Sequence, residues 1–264
     1  MDYTLNVHGF LMDLREPQVM GILNVTPDSF YAESRRQTEA EIAERCHQIV
    51  SEGGTMIDVG GCSTRPGAEV ASEVEEMERL RFALTVVRRE LPSGVVSVDT
   101  FRPDVARMAV EEFGADIIND VSEGCPEMFR MVARLGVPYI LMSVQSTMRD
   151  TLLAFAQKVQ QLRDFGAKDI ILDPGFGFGK TLEQNYQMMN QLEQLQVMEL
   201  PVLVGVSRKS MIYKKFGCTA NESLNGTTAL NTIGLMKGAD ILRVHDVRQA
   251  VECVSIVQQI KCKL

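Results

Sequence analysis

Eight short apolar runs in this sequence stop at residues that can do chemistry or line a place where it is done. Asn24 closes the first run, and the stretch GGCSTRPG at 60–67 follows the second. Asp99, Asn119 with Asp120, Met142 and Asp173 close the next four. SRKS at 207–210 follows the seventh run, and Arg243 and His245 close the eighth. One such aspartate is readily explained as a cap for a following helix. The whole set points instead to a ligand. Arg65, Arg208, Lys209, Arg243 and His245 gather on this face although the formal net charge is −8, which suits an anionic, phosphate-like group. Arginine offers it a fork of donors and lysine a point charge. Asp99, Asn119 and Asp173 suit a donor-rich heterocycle. A 2-amino-4-oxo pyrimidine edge presents N–H and NH2 side by side, and a carboxylate accepts both.

Two other motifs carry less. PGFGFGKT at 174–181 is similar to a phosphate-binding P-loop, but Pro174 stands where that pattern requires its first glycine, so the match fails. The three histidines form no cluster with cysteine at zinc-ligand spacing. His8 and His47 are expected to be structural or exposed. A metal here would be a hard ion held by oxygen, such as Mg2+ on Asn24 and ligand phosphates.

The runs that carry these residues are 19–24, 56–60, 95–99, 117–120, 139–142, 170–173, 202–205 and 241–244. Several are rich in β-branched residues and apolar on both faces, as buried parallel strands are. Amphipathic stretches lie between them, among them EAEIAERCHQIVSEGG, EVEEMERLRFALTVVRRE and LLAFAQKVQQLRDFGAK. Gly54 and Gly166 are the expected C-cap glycines of the first and third. Eight β-then-α units in 264 residues predict an α/β fold, a single-domain (β/α)8 TIM barrel over 1–264. Its active site should lie on the loops after the strands. Residues 1–17 are expected to form a short extended flap under the barrel. An open doubly wound sheet fits less well, because no GxGxxG follows the first strand.

Composition closes off other classes. With 45% hydrophobic and 23% charged residues the chain is an ordinary globular one. The acidic balance argues against nucleic acid as a partner. No apolar run is long enough for a membrane helix, and no secretory signal is visible at the N-terminus. The six cysteines show no CxxC spacing and read as reduced thiols of a cytoplasmic protein.

GILNVTPDSF (21–30), GGCSTRPGA (60–68), VSVDTF (96–101), IINDVS (117–122), DPGFGFGKT (173–181), VGVSRKS (204–210) and RVHDV (243–247) together resemble the dihydropteroate synthase family of pterin-binding enzymes. The resemblance implies a transferase of folate biosynthesis that is usually a homodimer. It would join (7,8-dihydropterin-6-yl)methyl diphosphate to 4-aminobenzoate, yielding 7,8-dihydropteroate and pyrophosphate, and would be a sulfonamide target. By the same resemblance Asp173, Asn119 and Lys209 would hold the pterin, with Asp99 against it and Met142 lining the pocket. Arg243 would lie over the pterin face and, with His245 and Asn24, hold the diphosphate and its Mg2+. Ser210 would receive the aminobenzoate carboxylate at a helix start, and Phe30, Thr64, Arg65 and Pro66 would close over that substrate. Asp99, Lys209, Arg243 and His245 would form the catalytic set, acting without a covalent enzyme intermediate.

The chain departs from the family at three places. Tyr31, Ala32, Glu33 and Ser34 replace the usual Ser-Asp-Gly-Gly after Phe30. Cys62 replaces a glutamate, and Ser143 and Val144 follow Met142 where His-Met is usual. Two neighbouring readings would keep the pterin contacts: a methyltransferase-type barrel and a non-catalytic pterin-binding paralogue.

Overall fold

The structure is a computed structural model that describes residues 3–25, 35–62 and 70–261. It opens with a hairpin of β1 (Thr4–Val7) and β2 (Phe10–Asp13), antiparallel and joined at His8 and Gly9. Both turn residues have positive φ, 48° and 82°, the geometry that matches the twist of a tight hairpin.

A parallel sheet of eight strands follows. The strands are β3 (Gln18–Asn24), β4 (Met56–Gly60), β5 (Val95–Asp99), β6 (Ile117–Asp120), β7 (Tyr139–Met142), β8 (Ile170–Asp173), β9 (Leu203–Val204) and β10 (Ile241–Val244). The hydrogen-bonded order runs β8-β7-β6-β5-β4-β3-β10-β9. A parallel bridge between Leu172 and Val202 joins its two ends, which makes the barrel nearly closed. Helices α1 (Arg35–Ser51), α2 (Glu73–Glu90), α3 (Pro103–Phe113), α4 (Pro126–Leu135), α5 (Met148–Asp164) and α6 (Leu182–Asn190) link successive strands. Two helices, α7 (Ser210–Phe216) and α8 (Leu224–Met236), stand between β9 and β10, and α9 (Val247–Lys261) ends the described chain. The expected one-helix repeat is therefore doubled at the seventh unit.

Local chemistry starts and stops these helices. Ser72 with Glu75, and Thr181 with Gln184, form reciprocal capping boxes at α2 and α6. Pro103 and Pro126 open α3 and α4, where the missing N–H costs nothing. After α1 it is Gly53, at φ 92°, that takes the left-handed turn rather than Gly54. Gly54 is needed for space: a Cβ there would lie 2.6 Å from Ile49 Cγ2.

The strands divide the core in two. Outward residues such as Val19, Val59, Val98, Ile118, Leu141, Leu172, Val204 and Leu242 pack under the helices. Inward residues Met20, Met56, Ile117, Ile140, Ile171, Leu203 and Ile241 form a separate layer, capped from below by Leu5, Val7, Met12 and Leu14 of the flap. Each such side chain stabilises the fold by about 1.5–3 kcal/mol when fully buried. This plug seals the N-terminal end of the barrel and leaves the C-terminal end for function. No helix among the described residues is long and apolar enough to cross a membrane.

Candidate active site at the barrel mouth

Side chains alternate along a strand, so the inward positions above the plug follow by steps of two. They are Asp58 and Gly60 on β4, Ser97 and Asp99 on β5, Asn119 on β6, Met142 on β7, Asp173 on β8 and Arg243 on β10. An apolar floor thus gives way to polar side chains within one strand step. Asp58, Ser97, Asp99, Asn119, Met142 and Asp173 are all buried.

Arg243 spans this layer. Its Nε donates to Asp58 Oδ2 at 2.6 Å and its Nη2 to Asp99 Oδ2 at 2.8 Å. Asp58 also accepts from Ser97 Oγ at 2.6 Å and from Asn119 Nδ2 at 3.1 Å. Burial disfavours the Arg243 cation, but the Asp58 and Asp99 carboxylates outweigh it and hold its pKa above the ordinary arginine range. Burial pushes Asp99 up to about 7 against the pull of Arg243. Asp99 Oδ1 and Asn119 Oδ1 are buried acceptors with no hydrogen-bond partner. Such atoms cost roughly 1–3 kcal/mol each when unsatisfied, so they mark where a ligand's donors would go.

Asp173 and Lys209 face the same space. Asp173 Oδ1 accepts from the Gly175 N–H at 2.8 Å, and burial raises its pKa. Lys209 Nζ donates to the Phe176 carbonyl at 2.5 Å and lies 4.7 Å from the Phe178 ring centroid. Burial lowers the Lys209 pKa to about 8, opposed by the Asp173 charge. The glycine-rich stretch shapes this wall. Gly175 has φ 68°, and a Cβ there would sit 2.1 Å from the Ser143 carbonyl oxygen, so no side chain is tolerated. Lys180 donates to the carbonyls of Ser143, Gly175 and Phe178 at 3.1, 3.0 and 3.3 Å. It therefore ties its own loop together.

Beside this layer lies a cleft of about 400 Å³ lined by Asn24, Thr38, Glu41, Arg45, Arg208 and His245, among others. Asn24 is exposed at the end of β3. The His245 ring nitrogen Nδ1 lies 3.2 Å from Ser207 Oγ, and Arg45 donates to the His245 carbonyl at 2.7 Å. Arg208 uses its fork on Asp246, at 3.0 and 2.6 Å, and donates to Asn221 at 3.0 Å. These contacts brace the loop and hold Arg208 in the lining of the cleft. Ser210 is the first residue of α7 and half-buried.

The structure brings together Asp99, Asn119, Met142, Asp173, Lys209 and Arg243, with His245, Asn24 and Ser210 on the same end of the barrel. Phe30, Thr64, Arg65 and Pro66 lie outside the described residues. Asp120, grouped with Asn119 in the sequence, points the other way and accepts from Tyr139 Oη at 2.7 Å on the helix side. Asp58 was missed because it sits inside its run rather than at the end. The signal was parity: two residues after Met56, it shares the inward set with the other site residues. His8 and His47 pair with Asp116 and Glu90, in keeping with structural roles. Five cysteines of the described residues are in no disulfide, Cys62 among them and half-buried.

A (β/α)8 barrel with a polar, charge-bearing C-terminal mouth defines a small-molecule enzyme. The pterin binding enzyme family matches residues 20–245. A dihydropteroate synthase of Escherichia coli strain K12 is 38% identical, covering 96% of this chain and 95% of that one. A Xanthomonas albilineans dihydropteroate synthase solved with 4-aminobenzoic acid superimposes with a TM-score of 0.90 at 34% identity, over 99% of both chains. A Yersinia pestis dihydropteroate synthase in a sulfonamide drug complex gives 0.87 at 36% identity, over 99% of this chain and 100% of that one. The chain belongs to the pterin binding enzyme family, among its dihydropteroate synthases, which are transferases of folate synthesis.

Proposed function

We propose that the interior polar layer holds the dihydropterin ring and that the Asn24–His245 cleft takes its diphosphate. The observation that carries this is the pair of buried, unpartnered acceptors, Asp99 Oδ1 and Asn119 Oδ1, beside the Asp173 carboxylate. Three acceptors on one wall fit a heterocycle whose edge is all donors. Met142 gives the ring an apolar contact, and Lys209 supplies a cation to its carbonyl side. Ser210, with Phe30, Thr64, Arg65 and Pro66, would meet 4-aminobenzoate.

The reaction joins two substrates without an enzyme-bound intermediate. The bond from the pterin methylene to the diphosphate oxygen breaks, and pyrophosphate leaves with the electron pair. Arg243 and His245 offset the charge gathering on the leaving oxygens. Asp99 and Asp173 stabilise the positive charge that spreads over the dihydropterin. The aromatic amine then forms the C–N bond and releases its proton to solvent.

Asn24 is the residue that would meet Mg2+. It contributes one amide oxygen, and no cluster of three His, Cys, Asp or Glu fit to hold a metal exists among the described residues. Such a sparse donor set fits an ion that keeps its waters and arrives on substrate phosphates. When bound, Mg2+ would neutralise charge on the diphosphate. We take the protein to be a single cytoplasmic domain that pairs with a second copy. Exposed Ile233 and Met236 on α8, and Ile256 and Ile260 on α9, offer apolar surface for that contact. Light scattering on the purified protein tests the pairing.

The test of function is pyrophosphate release with each substrate alone and with both, with and without Mg2+. Sustained release with both substrates, matched by formation of dihydropteroate, is the expected result. No release with both present overturns the reading.

A further inference from the structure

We propose that Asp58 is a positioning residue that fixes which atom Asn119 shows to the ligand, and so sets the site's preference for a heterocycle bearing an amino donor. This rests on the pterin site proposed above and names what determines its specificity.

Asp58 is fully buried on β4. Its register partners are Ile22 on β3 and Ser97 on β5. Its Oδ1 accepts from Ser97 Oγ, and its Oδ2 from both Arg243 Nε and Asn119 Nδ2. An ionised carboxylate accepts hydrogen bonds and donates none. The Asn119 amide must therefore turn its NH2 toward Asp58, which leaves Oδ1 as the atom it can offer elsewhere. That oxygen is the one found buried and unpartnered. A free amide could rotate to meet a donor or an acceptor equally. Held by Asp58 through one of its two amide hydrogens, Asn119 turns its acceptor Oδ1 to the ligand side. The exocyclic 2-amino group carries two hydrogens, so it can serve the Asp173 carboxylate and Asn119 together. The same carboxylate anchors Arg243 through Nε, which lets Nη2 reach Asp99 at 2.8 Å.

A merely structural Asp58 would weaken all ligands alike when changed. The informative quantity is the ratio of affinities for 6-hydroxymethyl-7,8-dihydropterin and its 2-deamino analogue, measured by calorimetry. Asp58→Ala should lower that ratio by about tenfold. Asp58→Asn should keep it within about threefold, because its amide oxygen can still accept from Arg243 and Asn119 while its NH2 donates to Ser97 Oγ. A wild-type ratio near one overturns the pterin reading and this inference together. A large wild-type ratio that Asp58→Ala leaves unchanged overturns this inference alone. Should Asp58→Ala not fold, the side-chain NH2 resonances of Asn119 in the wild-type protein decide. One proton slow to exchange with solvent, before and after ligand addition, is expected. Two freely exchanging protons overturn the proposal.

Discussion

Arg243 on β10 and Asp99 on β5 are hydrogen-bonded at 2.8 Å, although β3 and β4 stand between their strands in the sheet. The contact runs across the barrel interior and ties strands three steps apart around the mouth. Only a long side chain with several fixed donors makes it, since Nε is already committed to Asp58 at 2.6 Å.

Arg243→Lys should for that reason be costly although it keeps the charge. One ammonium cannot hold both carboxylates and also lie flat on a ring. Losing a charge-assisted hydrogen bond of about 1.5–3 kcal/mol predicts kcat/KM lowered at least about tenfold. Steady-state pyrophosphate release measures this. A lysine variant with full activity would remove Arg243 from the clamp.

Lys209→Ala and Asp173→Ala should each abolish measurable binding of the dihydropterin while the fold survives, since neither contributes to the apolar plug. Equilibrium binding and a thermal melt report the two effects separately. Near-normal affinity in either variant contradicts the pocket assignment.

The titration of the site predicts a bell-shaped affinity for dihydropterin. Asp99 has its pKa raised by burial to about 7, so its carboxylate, the better acceptor, is lost as pH falls below that value. Lys209 has its pKa lowered by burial to about 8, so its cation is lost as pH rises through that value. Affinity for uncharged 6-hydroxymethyl-7,8-dihydropterin should therefore peak between about 7 and about 8. Asp99→Asn should flatten the acid side. A profile level from pH 6 to 9 in the wild type would be inconsistent with these assignments.

Stability rests in part on a second buried pair. Glu76 of α2 is fully buried and ion-paired with Arg102, which also donates to the Ala71 carbonyl at 2.6 Å. Arg102→Ala leaves a carboxylate in the core, at a cost of about 3–5 kcal/mol, or roughly 6–20 °C in Tm. The Glu76 pKa is already raised by burial above its usual 4.5. The folded variant would hold that proton to still higher pH, so its deficit should grow as pH rises above that value. Melting curves at several pH values check both size and sign.

Much of this was legible from residue order. All eight runs became strands within one residue of their expected bounds at most ends, because β-branched runs apolar on both faces have few other uses in a barrel. The polar residues at their ends marked the mouth. Asp58 was hidden because an acid inside an apolar run reads as an interruption until inward and outward positions are told apart. The same parity separates Asn119 from Asp120, which adjacency had grouped. The engagement of Arg208 with Asp246 could not be read either, since it joins loops 38 positions apart. The doubled helix after β9 follows from Gly217, whose φ of 64° ends α7 after only seven residues.

The most direct test is a crystal structure of the protein with pteroic acid, the oxidised form of the proposed product. The account predicts the pterin ring inside the barrel mouth, with ring nitrogens or the 2-amino group within hydrogen-bond distance of Asn119 Oδ1 and the Asp173 carboxylate, and Arg243 beside its face. A pterin ring seated elsewhere, with Asp99, Asn119 and Asp173 out of contact, would contradict it.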